Sequence, residues 1–228
     1  AKTLMQFRDV DLFKQFGNAI DKIVGHVEVT QEGGEQFIQF EQSIANSGNE
    51  FLSPLLEAIK QSLWVKFDYT SFVSGKSKPR NVIPLLLKEY RNRWYLISHD
   101  SDKNDFITYS LDRLTELDVT SEKAAYPRNF KPENYFKYAV GITSGNEDPD
   151  EVIFHASPIA AKYIGSQPFH SSQKVKKENR DGITFTLKVN VSEELIRILL
   201  SYGGEVKVLQ PNSLKKEIEC RAKAILEN

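Results

Sequence analysis

Arginine, tyrosine and histidine side chains recur at two-residue steps in the middle of the chain. Arg93, Tyr95 and His99 fall on one face of a segment with strand composition, because successive side chains of a strand point to opposite faces. In the next segment Tyr109 has the same alternation, and Arg113 follows in phase. Arginine offers a planar fork of donors that suits phosphate, and tyrosine or histidine offers a ring on which a base can stack. This combination indicates a surface for a nucleotide or a short nucleic acid.

A purely structural explanation accounts for the same residues. They can be half-buried strand side chains with their polar tips in water, with Arg113 paired with Asp112 or another neighbour. The cations Lys76, Lys78 and Arg80 can likewise belong to a solvated turn. The spacing alone leaves both explanations open.

Five short strands are predicted to position these side chains. A helix over residues 53–62 precedes strands over about residues 65–69, 80–90, 93–100, 105–111 and 114–119. Alternation places Trp94 on the face opposite Tyr95, where it is expected to affect stability rather than binding. Short strands joined by tight turns predict a small five-stranded barrel.

The flanking segments have different patterns. Apolar residues at three- and four-residue steps predict an amphipathic helix over residues 11–27, and a short strand or an extended arm is expected over residues 35–41. The last third has the order β-α-β-β-α-β-α, with helix caps at Ser157 and Ser192 and a hairpin at Asp181-Gly182, which predicts a ferredoxin-like sandwich with an added helix. The fold class is therefore α+β. The predicted division is a helical connector (1–50), a barrel domain (51–120), a linker (121–149) and a C-terminal domain (150–228).

Composition restricts the function classes. Thirty Lys and Arg residues against 31 Asp and Glu residues give a net charge of -1, which argues against a surface that coats nucleic acid nonspecifically but leaves room for a local basic site. The single Cys220 rules out an intramolecular disulfide and fits a reducing cytoplasm. The N-terminal residues lack a signal-peptide pattern and the apolar runs are too short to span a bilayer, so we expect a cytoplasmic protein without a membrane partner.

Catalytic and metal motifs do not withstand inspection. Gly75-Lys76-Ser77 resembles the end of a phosphate-binding loop, but Thr70 stands where that loop needs a glycine. The four histidines lie on separate predicted elements without ligand spacing. We therefore expect no enzyme and no cofactor.

Taken in order, several short motifs resemble a known family. They are Tyr69 on the first strand, Arg80 four residues before Pro84, Trp94-Tyr95-Leu96, and Leu111-Asp112-Arg113. In this order they resemble the WYL domain, a small sensor module of bacterial transcriptional regulators with an Sm-like barrel. Residues 151–228 resemble the C-terminal extension that commonly follows it. Together with the alternation described above, the resemblance predicts a ligand-binding face made of Tyr69, Arg80, Arg93, Tyr95, His99, Tyr109 and Arg113.

The resemblance also implies the partners. Such regulators form homodimers and contact promoter DNA through an N-terminal helix-turn-helix domain, for which residues 1–50 have no room, so this chain is expected to be the sensor part of a longer regulator. Relatives often carry further arginines on the strand where this chain has Ile107 and Ser110, which leaves Arg80, Arg113 and Arg93 as cationic anchors. The alternative is a structural oligomerisation scaffold that binds no ligand.

Overall fold

The computed structural model describes residues 48–144 and 148–227, which form two compact units divided between Pro127 and Arg128. The helix predicted over residues 11–27 and the strand or extended arm predicted over residues 35–41 lie outside the described residues. Two antiparallel sheets, one in each unit, make the fold a mixed α+β class, as the sequence predicts.

The first unit contains one helix and a five-stranded antiparallel sheet. The strands lie in the order β4-β3-β2-β1-β5, and a 3₁₀ turn at Leu111–Arg113 joins β4 to β5. The elements are α1 (Leu52–Gln61), β1 (Leu63–Thr70), β2 (Ser77–Tyr90), β3 (Arg93–Asp100), β4 (Asp105–Ser110) and β5 (Leu114–Lys123).

The five predicted strands are all present, but the prediction that they close into a barrel is wrong. Strand β5 pairs with β1, so β4 and β5 are the two edges, and no pairing between them closes the sheet in the described part of the chain. The helix begins at Leu52 without a side-chain cap, so Ser53 does not open it as predicted. Helix α1 buries Leu52, Leu55 and Ala58 against the sheet, and the core there includes Val65, Phe67, Val82, Trp94, Leu96, Tyr109, Leu111 and Leu114.

The second unit has the predicted element order. Its four-stranded antiparallel sheet has the order β7-β8-β6-β9. Assignment to the ferredoxin-like fold stays a prediction, which this order supports. The elements are α2 (Pro132–Tyr135), β6 (Asp150–Ala156), α3 (Pro158–Ser166), β7 (Lys174–Asn179), β8 (Gly182–Val189), α4 (Glu193–Ser201), β9 (Val206–Gln210) and α5 (Asn212–Glu227).

Caps and a glycine fix this second unit locally. The Ser157 hydroxyl accepts a hydrogen bond from the Ala160 N–H, and the Ser192 hydroxyl accepts one from Leu195, as predicted for the two helix starts. Gly182 follows the hairpin turn at φ +133°, and a Cβ there would lie 2.0 Å from the Ala156 carbonyl oxygen. The hairpin thus needs Gly182 because β6 approaches it closely.

The region predicted as a linker belongs partly to the two units. Strand β5 extends to Lys123, and Val140 lies in the core of the second unit. The Asn190 N–H donates to the Tyr138 carbonyl, which ties this segment to the end of β8. The strand that carries Tyr95 and the strand that carries Val189 lie in separate sheets.

Candidate functional site

The register of the first sheet assigns the candidate side chains to two faces. Val65 and Asp100 both pair with Val82, so these three side chains lie on one face. Side chains two residues apart in a strand share a face, which adds Tyr69 in the strand of Val65 and Leu96 in the strand of Asp100. Two further pairs, Arg80 with Phe67 and Tyr109 with Leu96, add an arginine and a tyrosine to it. This face, which we call the core face, therefore carries Tyr69, Arg80 and Tyr109.

Three aromatic rings run in contact along the core face. Tyr109 makes edge-to-face contacts with Phe67 and Tyr69, with ring centroids 5.2 and 4.7 Å apart. Tyr109 is only 2 % exposed, whereas Tyr69 is partly accessible. The row of rings therefore leads from the core of the unit to its surface at Tyr69.

A buried carboxylate fixes the inner end of this row. Asp100 is fully buried; its Oδ1 accepts hydrogen bonds from the backbone N–H groups of Asp102 (2.9 Å) and Lys103 (3.2 Å). The Tyr109 hydroxyl donates to its other oxygen. Burial, together with this hydrogen bond to Asp100, raises the pKa of Tyr109 above its usual value, so it is a neutral donor throughout the physiological range.

Arg113 lies at the outer end of the row. Its guanidinium carbon is 5.0 Å from the centroid of the Tyr69 ring and 4.6 Å from that of Phe72, both within cation–π range. Phe72 is 71 % exposed in the loop between β1 and β2. Sequence reasoning missed this residue; the available signal was an aromatic side chain in a short hairpin loop beside basic residues.

The structural alternative, in which Arg113 pairs with Asp112, does not hold, because Asp112 has other partners. Arg93 Nη1 lies 3.7 Å from Asp112 Oδ2, and the Ser110 hydroxyl donates to Oδ1 of the same carboxylate. Asp112 is thus occupied, and Arg113 forms no ion pair with any acidic residue in the described ranges. Its Nε is buried without a hydrogen-bond partner there.

Arg80 is a second arginine whose Nε donor has no described acceptor. It lies close enough to Tyr109 for its charge to oppose the rise in that tyrosine's pKa. Its Nε is buried and finds no hydrogen-bond partner among residues 48–144 and 148–227. Arg80 on the core face and Arg113 beside it therefore each retain a donor without an acceptor. A bound anion can accept hydrogen bonds from such donors, and this is how arginine usually recognises phosphate.

The remaining predicted residues lie elsewhere. Tyr95 pairs with Lys88 and Ser110, and His99 pairs with Ile83 and Phe106, so both belong to the opposite face of the sheet.

The structure therefore brings together Tyr69, Arg80, Tyr109 and Arg113 but not the whole predicted set. The ring of His99 packs edge-to-face on Phe106 at 5.7 Å. Tyr95 still lies near enough to Tyr69 to contribute to that residue's pKa.

Electrostatics at Tyr69 reflect its position between core and solvent. Burial raises the pKa of the Tyr69 hydroxyl, and the positive charge of Arg113 partly opposes that rise. The hydroxyl oxygen lies 3.5 Å from the Ser110 N–H, which donates to it. Tyr69 thus stays protonated at neutral pH and can donate its own proton to a ligand oxygen.

The 3₁₀ turn that carries Arg113 is held by a glycine. Gly48 has φ +91°, and a Cβ at this position would lie 2.5 Å from the carbonyl carbon of Leu111. The chain before α1 therefore packs against the backbone of Leu111 and Asp112. This contact supports the turn.

A groove that Phe67 and Arg80 also line does not fit the predicted ligand. It has a volume of about 280 Å³ and lies around β1, β2 and the β3–β4 turn. Asp68, Asp102 and Glu116 outnumber Lys66 and Arg80 among its charged residues, which disfavours an anion. In the described ranges no three His, Cys, Asp or Glu residues are arranged to hold a metal ion.

Comparison with known families decides the identity of both units. The WYL domain matches residues 50–119, and the WCX domain matches residues 148–226. The chain contains a WYL domain followed by a WCX domain. The four clustered residues Tyr69, Arg80, Tyr109 and Arg113 all lie within the WYL domain.

Individual relatives match about four fifths of the chain. Protein PafB of Mycobacterium tuberculosis is 25 % identical over 179 residues, which are 77 % of this chain and 52 % of that protein. Protein PafB of Mycobacterium leprae is 25 % identical over 185 residues, 80 % of this chain and 55 % of that protein. The chain therefore spans about half the length of the curated relatives it matches.

A solved structure has a similar fold. The crystal structure of a CRISPR Cas-related protein superposes with a TM-score of 0.52 at 12 % identity, covering 81 % of this chain and 55 % of that one. At this identity the likeness concerns the fold alone. No helix in the described ranges is long and apolar enough to cross a membrane.

Proposed function

We propose that this chain is the ligand-sensing part of a bacterial transcriptional regulator. In this proposal the WYL domain binds a nucleotide or a short single-stranded nucleic acid, and binding controls a DNA-binding domain attached to the sensor. The support is of two kinds: the resemblance to WYL-domain regulators, and the geometry of the core face. The proposed role is binding, without catalysis or a cofactor.

One observation carries the proposal. Arg80 and Arg113 each bury an Nε atom without a hydrogen-bond partner in the described ranges, while the nearby carboxylates of Asp100 and Asp112 are engaged by other donors. Unpaired buried donors are costly, so a native site that retains them usually has an unseen partner. A phosphate group bound at either arginine would supply acceptors to its guanidinium group.

The adjacent rings favour a ligand with bases over a bare phosphate. Arg113 lies between the rings of Tyr69 and Phe72, and Phe72 leaves most of its surface to solvent. A base can stack on an exposed aromatic ring whatever its sequence identity. The rings and guanidinium groups together suit a nucleotide unit, with its phosphate on arginine and its base on an aromatic side chain.

Binding at this face can regulate only if it distinguishes two arrangements of the regulator. A ligand shifts an equilibrium by its difference in affinity for the two states. Arg113 lies in the short turn between β4 and β5, so a ligand that binds it and shifts the turn would also shift both edge strands of the sheet. We infer that the edges of the WYL sheet transmit ligand binding to the rest of the regulator.

Titration of a labelled oligonucleotide tests the proposal. Fluorescence anisotropy with an eight-nucleotide single-stranded DNA should give saturable binding that weakens as salt rises, because displaced counterions contribute to the driving force. Arg113→Ala should weaken binding by about 1.5–3 kcal/mol, the range for hydrogen bonds to charged groups. Arg113→Lys should restore only part of this loss, since an ammonium group cannot reproduce the bidentate fork.

The control is an arginine of equal charge in the WCX domain. Arg197 is exposed on α4 and pairs with Glu193 at 2.9 Å, so Arg197→Ala should leave affinity unchanged. Circular dichroism establishes that each variant is folded. If affinity is the same in wild type, Arg113→Ala and Arg80→Ala while all are folded, the proposed site is wrong.

We also propose that the regulator is a homodimer. Ile225 and Leu226 are 69 % and 87 % exposed at the end of α5, where a second copy can cover them. The same observation favours the alternative function, an oligomerisation scaffold without a ligand. Light scattering should give about twice the 26.0 kDa mass of the chain; a mass of one chain at micromolar concentration would exclude both the homodimer and the scaffold.

A further inference from the structure

The sheet of the WCX domain has one face turned away from its core. Phe154, Phe185 and Val208 lie in the core and occupy neighbouring strands. The alternating residues therefore point to the other side. The register orders them in rows: Lys177–Thr184–His155–Lys207, Lys174–Thr186–Ile153–Gln210, and Lys188–Glu151.

This face is basic and its lysines lack acidic partners. Lys174, Lys177, Lys188 and Lys207 are all exposed, and none forms an ion pair with a described residue. Glu151 is the acidic residue in the rows, and its carboxylate accepts a hydrogen bond from the Thr186 hydroxyl at 3.2 Å. Four positive charges against one negative charge leave a net attraction for a polyanion.

An aromatic ring has two ammonium groups close to it at one end of the face. Lys188 Nζ is 5.7 Å from the centroid of the Tyr138 ring, and Lys137 Nζ is 5.1 Å from it. Two like charges next to one ring repel each other, and an anion bound between them would relieve that repulsion. The ring and its cations therefore form the most specific part of the basic face.

The backbone of this end is fixed in place. The Asn190 N–H donates to the Tyr138 carbonyl at 2.8 Å, and His170 Nε2 lies 3.0 Å from the Lys137 carbonyl oxygen. The Ser172 hydroxyl donates to the Lys188 carbonyl and accepts from the Lys188 N–H, at 3.1 and 2.9 Å. The backbone of Lys137, Tyr138 and Lys188 is therefore held in place before any ligand binds, so binding has no backbone ordering to achieve at these residues.

We propose that this face of the WCX domain is a second nucleic-acid site, which binds the phosphate backbone of a single strand through Lys137, Lys174, Lys177, Lys188 and Lys207, with one base on Tyr138. Four strands about 4.8 Å apart make the face about 14 Å wide, enough for several consecutive nucleotides. The ring favours a single strand over a duplex, whose bases are stacked and unavailable.

The test removes three charges from the face in the full chain. The variant K174Q/K188Q/K207Q is compared with K162Q/K216Q/K223Q, which removes the same charge from exposed lysines of α3 and α5 in the same domain. Both sets are made in wild type and in the R80A/R113A background. Anisotropy with a labelled 20-nucleotide single strand and a 20-base-pair duplex is measured at several salt concentrations.

We expect K174Q/K188Q/K207Q to weaken single-strand binding and K162Q/K216Q/K223Q to leave it unchanged. Each lost phosphate contact to a single strand should reduce the slope of log K against log salt by about 0.7, so the face variant should lose about 2 from the slope and at least tenfold in affinity. In the R80A/R113A background, residual binding that disappears only with the face variant supports the second site. Y138A should weaken the single strand alone, and an equal loss for the duplex would contradict the assignment to a single strand.

The outcomes separate this site from the WYL site. If the face and control variants have equal slopes, the basic face binds no nucleic acid, whatever the WYL variants do. If R80A/R113A has no effect but the face variant does, the second site stands and the proposed function of the WYL face fails. Circular dichroism of each protein establishes that a loss of binding is not a loss of fold.

Discussion

Removal of the Tyr109 hydroxyl is the most informative perturbation of the WYL domain. Tyr109→Phe keeps the ring and its contacts with Phe67 and Tyr69 but deletes the donor to the fully buried Asp100 carboxylate. A hydrogen bond to a charged group contributes about 1.5–3 kcal/mol, and Asp100 keeps two backbone donors. We therefore expect the free energy of unfolding to fall by about 2 kcal/mol.

Tryptophan fluorescence reports this change selectively. The chain has two tryptophans, Trp64 and Trp94, and both lie in the first unit. Urea denaturation followed by their emission therefore measures the unit that contains Tyr109. For a unit of this size, the expected loss corresponds to a fall in melting temperature of roughly 8–16 °C.

The pH dependence has a definite sign. Since the folded state raises the pKa of Tyr109, the unfolded chain loses this proton first, near pH 10. The stability that the hydroxyl provides is fully present below pH 10 and is lost as pH rises further. The difference in unfolding free energy between wild type and Tyr109→Phe should thus shrink between pH 9 and pH 11. Tyr69 and Lys88, whose pKa values are raised and lowered by burial, remain in both proteins and largely cancel.

Tyr95→Phe is the matched control. The Tyr95 hydroxyl has no hydrogen-bond partner in the described part of the chain, and the residue lies in the same unit. Its removal should change the free energy of unfolding by less than about 0.5 kcal/mol. The reasoning is refuted if Tyr109→Phe is no less stable than Tyr95→Phe at pH 8.

Three further predictions concern stability. Gly48→Ala should lower the unfolding free energy by about 1–3 kcal/mol because its Cβ would meet the Leu111 carbonyl, whereas Gly75→Ala, also at positive φ but with nothing within 4 Å, should cost less; equal losses in urea titrations would contradict the contact. Trp94 is in phase with Leu96 and therefore shares the core face with the candidate site, contrary to the sequence-based prediction, but nearly all of its surface is buried. Trp94→Phe should cost at least about 1 kcal/mol through incomplete filling of this site, yet leave oligonucleotide affinity within about twofold of wild type because a ligand does not reach the indole. A larger change in affinity would place the indole in the ligand site. Ser157→Ala should lower the unfolding free energy by about 1 kcal/mol, because the hydroxyl caps α3 and donates to Glu205. Thermal scans by circular dichroism measure this loss, and an unchanged melting temperature would show that the cap does not stabilise the domain.

Local patterns predicted the elements of this chain well. Period-two alternation located β1 to β5, and the serine caps at 157 and 192 located α3 and α4, because both signals depend on neighbouring residues alone. Closure of the barrel could not be predicted in this way. It depends on whether β4 and β5 pair, which the tight turn at Leu111–Arg113 and the pairing of β5 with β1 decide together.

The candidate site was predictable only in part. Alternation assigns a face within one strand but not the register between strands, so it grouped Tyr109 with Tyr95 and His99, whereas Tyr109 pairs with Leu96 on the core face. The partner of Asp112 was equally beyond the sequence, because Arg93 reaches it from another strand. Phe72 was missed because an aromatic residue in a loop has no periodic pattern.

Hydrogen exchange with and without a single-stranded oligonucleotide tests the central claim most directly. If the core face of the WYL domain is the ligand site, saturating oligonucleotide should slow exchange in the loop over residues 71–76 and around the turn Leu111–Arg113. The same protection should be absent in Arg113→Ala. Binding that leaves both segments unchanged in wild type would contradict the account.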